Sequence, residues 1–380
     1  MLGAMIKVVV GLLLALALSG VALARDMAQA QPLAVLPPSG WDHVARVVVI
    51  GDLHGDYAKL HDQLRQAELI DGRDAWRGGA THLVQLGDAP DRAPDTRRIL
   101  DLLIRLEPRA RRAGGYVHAL IGNHEAMNME GDLRYTTPGE FAAFADGNSA
   151  RRRDAYYAAG VAASRAQPPS GGAPVIDAAY RARFDAEHPL GWVEHRQAWS
   201  AEGVYGRWVL SHAAVIRIDD TLYLHGGIGP AFLGFDLEAM NAAVLAALRH
   251  QPPTAGGPQD ILWNEQGPLW YRGLARNAEA AEAPHVAALL ARYGVRHIVV
   301  GHTKQYPSVN ARFDGAAILT DIAVADGCAD PHGVLIKEGD ELSVLHRGHR
   351  LALGLAGAAR AAYLARIAAL DAATPGCAQN

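Results

Sequence analysis

The chain has 380 residues, half of them apolar, and a formal charge of −4 at pH 7. That length supports one large α/β domain or a domain with an insertion, so core size is no constraint. No block of lysine or arginine stands alone, which argues against a nucleic-acid footprint.

Residues 1–24 read as a secretory signal peptide: Lys7, a nearly unbroken apolar run over 8–18, then the small-residue pattern Ala22-Leu23-Ala24. The competing reading is an uncleaved anchor, because the run approaches the length that spans a bilayer. Cleavage is the expectation, giving a secreted, periplasmic protein with no stable membrane insertion. Residues 25–43 are expected to be a flexible lead-in, ending in QPLAVLPPSG and a few residues more.

Three apolar runs follow: residues 44–50 (VARVVVI), 81–86 (THLVQL) and 116–121 (YVHALI), closed by Gly51, Gly87 and Gly122. Their β-branched and aliphatic content predicts buried strands. Between them, residues 57–70 carry Leu60, Leu64 and Ala67, and residues 95–106 carry Ile99, Leu102, Leu103 and Leu106, at helical spacing. A strand, helix, strand, helix, strand series implies parallel strands with their carboxyl ends on one edge, where ligand sites of α/β sheets form.

Asp52-Leu53-His54, Asp88 and Asn123-His124 sit at those three ends. His225 and His302 also follow apolar runs, and the spacing predicts a two-metal site. Asp52 and His54 are read as alternating along an extended segment, so that both face one cation. Asp88 has two carboxylate oxygens with which to bridge, and Asn123 offers a neutral carbonyl. The first ion would take Asp52, His54 and Asp88; the second would take Asp88, Asn123, His225 and His302. Mixed nitrogen and oxygen donors suit borderline divalent metals or iron, not calcium. The remaining histidines, His61, His188 and His250 among them, are read as ordinary surface or core residues.

Residues 127–203 are expected to form an insertion over the active-site edge, with helical pieces at 140–145 and 151–163 broken by QPPSGGAP. Tyr135, Trp192 and Trp199 either contact substrate or form that subdomain's own core. Residues 315–324 and 331–345 are expected to add strands to a second sheet, and the alanine-rich residues 351–373 to form a terminal helix. Cys328 and Cys377, the only cysteines, either staple the tail or stay free.

The ordered motifs GDLHGD (51–56), GDAPDR (87–92), GNHE (122–125), HGG (225–227) and GHT (301–303) resemble those of the calcineurin-like metallophosphoesterases. They are closest to the phosphoprotein phosphatase branch. GNHEAMNMEGDLRY, YGRWVLSHAAVIRIDDTLYLHGGIGP and GPLWYRG resemble the bacterial Shewanella-like protein phosphatases in particular. The resemblance covers about residues 44–350 and implies an α/β, four-layer sandwich: two mixed sheets face to face, helices outside, and the same six metal ligands. It also implies His124 as general acid, Asp91 as the carboxylate that orients it, and Arg92 as a phosphate ligand. A second phosphate-binding arginine is implied between the last two motifs; Arg272 is the candidate, with Arg292 and Arg296 in the same interval.

Departures from the family pattern are Lys304, where many members have a further histidine, Ala93 in place of glycine, and Asp56 in place of Gln or Asn. The protein phosphatase branch also lacks the histidine at the Lys304 position. Lys304 is read as a solvated cation or one facing substrate. A cysteine-dependent phosphatase is excluded, because Val334, not arginine, lies six residues after Cys328.

The expected function is hydrolysis of phosphoproteins or phosphopeptides, phosphotyrosine ahead of phosphoserine and phosphothreonine, by direct attack of a metal-bridging hydroxide. The expected cofactor is two divalent or transition metal ions, manganese first, with iron, zinc or cobalt as alternatives. The enzyme alternative is a periplasmic hydrolase of nucleotides, dinucleoside polyphosphates or other small phosphoesters. The non-enzyme alternative, a metal-holding binding protein, would need a lost ligand or a lost His124.

Overall fold

The computed structural model describes residues 36–167, 174–253, 256–304, 307–322 and 332–373. Residues 1–24, most of the lead-in, and Cys328 and Cys377 lie outside these, and so do the expectations about leader cleavage and a disulfide. No helix among the described residues is long and apolar enough to cross a membrane.

Two six-stranded mixed sheets make the centre. In the first, strands β2 (Arg46–Ile50), β3 (His82–Gln85) and β4 (Tyr116–Ala119) run parallel as predicted. In the second, β5 (Val215–Ile218), β6 (Thr221–Leu224) and β7 (His297–Val300) lie beside one another, with the short β1 (Gly40–Trp41) on the outer edge of β5. Side-chain alternation explains the layers. Val47, Val49 and Val84 face Ile216, Tyr223 and Val299 of the other sheet, all essentially dry. Val48 and Ile50 face outward onto helices α1 (Tyr57–Gln66) and α2 (Thr96–Arg112), where Leu60, Leu64, Ile99 and Leu103 are fully buried. Each such side chain contributes about 1.5–3 kcal/mol of transfer free energy.

Local chemistry sets the helix limits. Asp56, the departure in the first motif, caps α1 by accepting from the Lys59 N–H at 2.9 Å. Helix α2 runs six residues beyond the predicted Leu106, through Pro108, because Leu106 and Ala110 continue its buried stripe.

The carboxyl-terminal part differs from expectation in two ways. Only β9 (Ala317–Leu319), with β8 (Asn310–Arg312) on its outer edge, joins the second sheet. Strands β10 (His332–Glu338) and β11 (Glu341–His346) return to the first sheet, β10 pairing antiparallel with β2. An unpaired β2 would present a line of free N–H and C=O groups, and the backbone of residues 335–338 pairs with it. The predicted helix over 351–373 begins later, at Gly357, since residues 351 and 352 complete strand β12 (His349–Ala352). Helix propensity there yields to pairing with β11.

Between β4 and β5 stand the helices of the expected insertion. They include Pro138–Phe144 and Ser149–Ala166, close to the predicted pieces, and Trp192–Trp199.

Candidate metal centre

The five strand-end segments meet at one edge, drawing residues from both sheets. The geometry is one of tight turns, and here the extended-segment reading of Asp52 and His54 is corrected. His54 has φ of +51°, so the two side chains converge because the chain reverses, not because they alternate. His54, Asp88, Asp91, Arg92 and His302 make up five of the fourteen non-glycine residues with positive φ among the described residues. Such strain persists only where surrounding contacts fix it.

Those contacts are visible. The N–H groups of Leu53 and His54 both donate to the Asp88 carbonyl, at 3.0 and 2.9 Å. The Glu125 carboxylate accepts from the N–H groups of Asp88, Ala89 and Gly122 at 2.9, 2.8 and 2.8 Å, tying the second and third motifs together. Gly55 has φ of +72°, and a Cβ there would meet the Ala93 carbonyl oxygen at 2.2 Å, so only glycine fits.

Each acidic ligand candidate spends one oxygen on the backbone. Asp52 Oδ1 accepts from His302 N at 3.0 Å, and Asp88 Oδ1 from His124 N at 2.9 Å. Their Oδ2 atoms face the histidines: His54 Nε2 lies 3.7 Å from Asp52 Oδ2 and 3.9 Å from Asp88 Oδ2. His225 Nε2 lies 3.2 Å from Asp88 Oδ2, 2.9 Å from Asn123 Oδ1 and 3.0 Å from His302 Nδ1.

These atoms fit a cation. His225 Nδ1 donates to the Leu86 carbonyl at 2.9 Å, which leaves Nε2 facing three further electron-rich atoms, an arrangement that calls for a proton or a cation between them. Burial opposes charge on His225, but Asp88 and Asp52 outweigh it and push the imidazole up to about 10, which expresses the same demand for positive charge. Burial pushes His54 down to about 4, leaving it a neutral donor. Two groups, His54 with Asp88 and His124, and Asp88 with His225 and His302, have donor atoms close enough to share an ion, with Asp88 common to both.

His124 lies fully buried beside this centre, its Nδ1 donating to Asp91 Oδ2 at 2.6 Å and its Nε2 3.7 Å from Asp88 Oδ2. Burial opposes its charge, yet Asp88 and Asp91 raise its pKa above the ordinary histidine value. Asp91 is itself held by Asn128 Nδ2 at 3.1 Å and Thr136 Oγ1 at 2.9 Å.

Arg92 is exposed, and its guanidinium lies 5.2 Å from the centre of the Tyr135 ring. Arg272 donates from Nη1 to the His302 carbonyl at 2.8 Å and to Thr303 Oγ1 at 3.1 Å, which brings it to the centre. Of its rivals, Arg296 pairs with Asp220 and Asp340 at the opposite end of β7, and Arg292 lies by Tyr293 in the preceding helix. Lys304 is exposed.

Of the three aromatic residues, Trp199 is fully buried and Trp192 packs on Tyr156 and His188, both within the insertion. Tyr135 alone reaches the site. Glu125, Asn128 and Thr136 were not singled out from sequence; the fourth position of GNHE pointed to the first, and the one-turn spacing from His124 to the second. Trp270, edge-on to His302 at 5.7 Å and tilted 33° against exposed Trp263, left no such signal beyond its place in GPLWYRG.

Comparison with known proteins agrees with this geometry. A family model described as calcineurin-like phosphoesterase matches residues 45–306. Shewanella-like protein phosphatase 2 of Arabidopsis thaliana is 30% identical over 302 residues, 75% of this chain and 73% of the relative. Shewanella-like protein phosphatase 1 of Plasmodium berghei is 24% identical over 265 residues, 68% of this chain and 61% of the relative. The crystal structure of a cold-active protein-tyrosine phosphatase from a psychrophilic Shewanella species superposes with a TM-score of 0.63 at 27% identity, covering 88% of this chain and 87% of that one. The chain belongs to the calcineurin-like phosphoesterase family and is a phosphatase of the metal-dependent kind.

Proposed function

We propose that this phosphoesterase hydrolyses phosphoproteins with a preference for phosphotyrosine, from an exported location. The observation that carries a phosphomonoesterase reading is the 2.6 Å His124–Asp91 pair, set beside Asp88 with Arg92 and Arg272 close by. Similarity to the Shewanella tyrosine phosphatase across most of both chains supports the substrate. Residues 1–24 support export.

The family uses two divalent metal ions. Asp52, His54 and Asp88 would hold one, and Asp88, Asn123, His225 and His302 the other, with manganese the first choice. When bound, such ions supply Lewis acidity and bring the pKa of coordinated water from about 15.7 towards 7. The chain's own residues do the rest. Asp91 fixes the proton on His124 Nδ1, so that the protonated ring presents Nε2–H to the departing oxygen. Arg92 and Arg272 place permanent charge around the phosphate oxygens, with a forked donor geometry that lysine lacks.

The test is kcat/KM of the manganese-loaded protein on phosphotyrosyl, phosphoseryl and phosphothreonyl peptides beside a nucleotide panel. Preference for phosphotyrosyl peptides is expected. A second reading, a small phosphoester hydrolase, is favoured by exposed Trp263 beside Trp270, an aromatic surface on which a nucleobase could lie. Efficient nucleotide turnover with poor phosphopeptide turnover would replace the first reading with the second.

A further inference from the structure

We propose that Tyr135 is the platform on which the phenyl ring of a phosphotyrosine lies, and that it gives the site selectivity for aryl over alkyl phosphoesters. This rests on the phosphotyrosine reading above and assigns it to one side chain.

The argument starts from the proton donor. A general acid must reach the leaving oxygen within hydrogen-bond distance, so the carbon skeleton on that oxygen lies next to His124. Among the described residues the His54 imidazole, itself a metal-ligand candidate, lies 4.7 Å from the His124 ring, and the next ring is Tyr135, its centroid 5.0 Å away and tilted 35°. At 42% exposure Tyr135 keeps much of its surface open to solvent, whereas its neighbours His124 and Asp91 are fully buried. The Arg92 guanidinium lies 5.2 Å from the same ring. Proton donor, phosphate-binding cation and open aromatic surface are thus mutual neighbours. In phosphotyrosine a single bridging oxygen separates the phosphorus from the ring, so a phosphate held by Arg92 brings that ring to this surface.

Tyr135 is also held in place, which is what a selective surface requires. Its carbonyl accepts from Arg92 N at 3.0 Å, and the next residue, Thr136, ties its hydroxyl to Asp91 Oδ1 at 2.9 Å. The segment bearing the ring is therefore pinned to the carboxylate that orients the acid. A seryl or threonyl phosphate presents only an alkyl chain here and forgoes the contact between rings. Among the described residues the other exposed large aromatic is Trp263, whose neighbour Trp270 adjoins His302 instead of His124.

The alternative is that Tyr135 only packs on His124 and steadies it. Dissociation constants of benzylphosphonate and methylphosphonate, measured by calorimetry on the manganese-loaded chain, separate the two. Both lack a scissile P–O–C bond, so leaving-group reactivity plays no part. Wild type should bind the benzyl compound more tightly, Tyr135→Ala should shrink that advantage roughly tenfold, and Tyr135→Phe should retain it. A ratio unchanged in Tyr135→Ala, or lost equally in Tyr135→Phe, overturns the proposal. Phosphotyrosyl and phosphoseryl peptides run alongside distinguish the two failures. If wild type shows no phosphotyrosyl preference, the functional reading falls and takes this inference with it. If wild type shows the preference and Tyr135→Ala keeps it, only the inference falls.

Discussion

Asp91 meets His124 through one carboxylate oxygen at 2.6 Å and Thr136 through the other at 2.9 Å. The first contact can only be Nδ1–H donating to oxygen, so Asp91 selects the tautomer that leaves Nε2 facing the metal centre. Asp91→Asn keeps the shape but offers an amide that can donate to Nδ1 and favour the other tautomer. Turnover should fall by roughly 10²- to 10⁴-fold, the range for losing acid catalysis, with metal content near normal. Steady-state kcat with metal analysis checks this, and undiminished kcat would remove Asp91 from the mechanism.

Glu125 should matter more for integrity than for chemistry. In Glu125→Ala three buried N–H groups lose their acceptor, each at about 1–3 kcal/mol if unsatisfied. A loss of about 3 kcal/mol or more is expected, seen as a Tm lower by roughly 4 °C or more for a chain of this size, together with weaker metal retention. Calorimetry with metal titration tests both parts.

Metal removal should destabilise the fold, since the ligand candidates come from both sheets. Free metal at one hundred times its dissociation constant adds about 2.7 kcal/mol to stability, or roughly 3–4 °C in Tm. Chelation of wild type should reverse that gain. His225→Ala, missing the ring that faces Asp88, Asn123 and His302, should show a much smaller response. Equal responses would place the bound ion elsewhere.

His195 sets an acid limit on the insertion. It is buried among Phe141, Phe144 and Trp199, neither nitrogen has a hydrogen-bond partner among the described residues, and burial, aided by Arg196, pushes it down to about 3. The unfolded chain takes up this proton near pH 6.5 and the folded chain does not. Stability is therefore intact above about pH 6.5 and is lost as pH falls toward 3, by at most about 2 kcal/mol at pH 5. His195→Phe should flatten this part of the Tm profile between pH 6.5 and 4. An unchanged slope would assign the acid sensitivity to other groups.

The strands and the ligand candidates were legible because both follow from local pattern: apolar runs ending in glycine, with an acid, amide or histidine one or two residues later. Three features were not. The positive φ of His54, Asp88 and His302 depends on bonds between loops far apart in sequence, such as His54 N to the Asp88 carbonyl. The return of β10 and β11 to the first sheet depends on which edge stands open, and an apolar run is equally suited to either sheet. Tyr135 differs from Trp192 and Trp199 only in where the chain carries it, so composition could not separate a site residue from two packed within the insertion.

The hydrogen bond from His302 N to Asp52 Oδ1 joins residues 250 positions apart. During synthesis Asp52, His54, Asp88 and Asn123 emerge first and wait, unable to close a full cage until most of the polypeptide has appeared. Loops of that span form late and slowly, because their entropy must be met before any contact rewards it. A fragment ending before residue 302 lacks one of the ligand candidates, so on the proposed reading activity requires that the two sheets have already met.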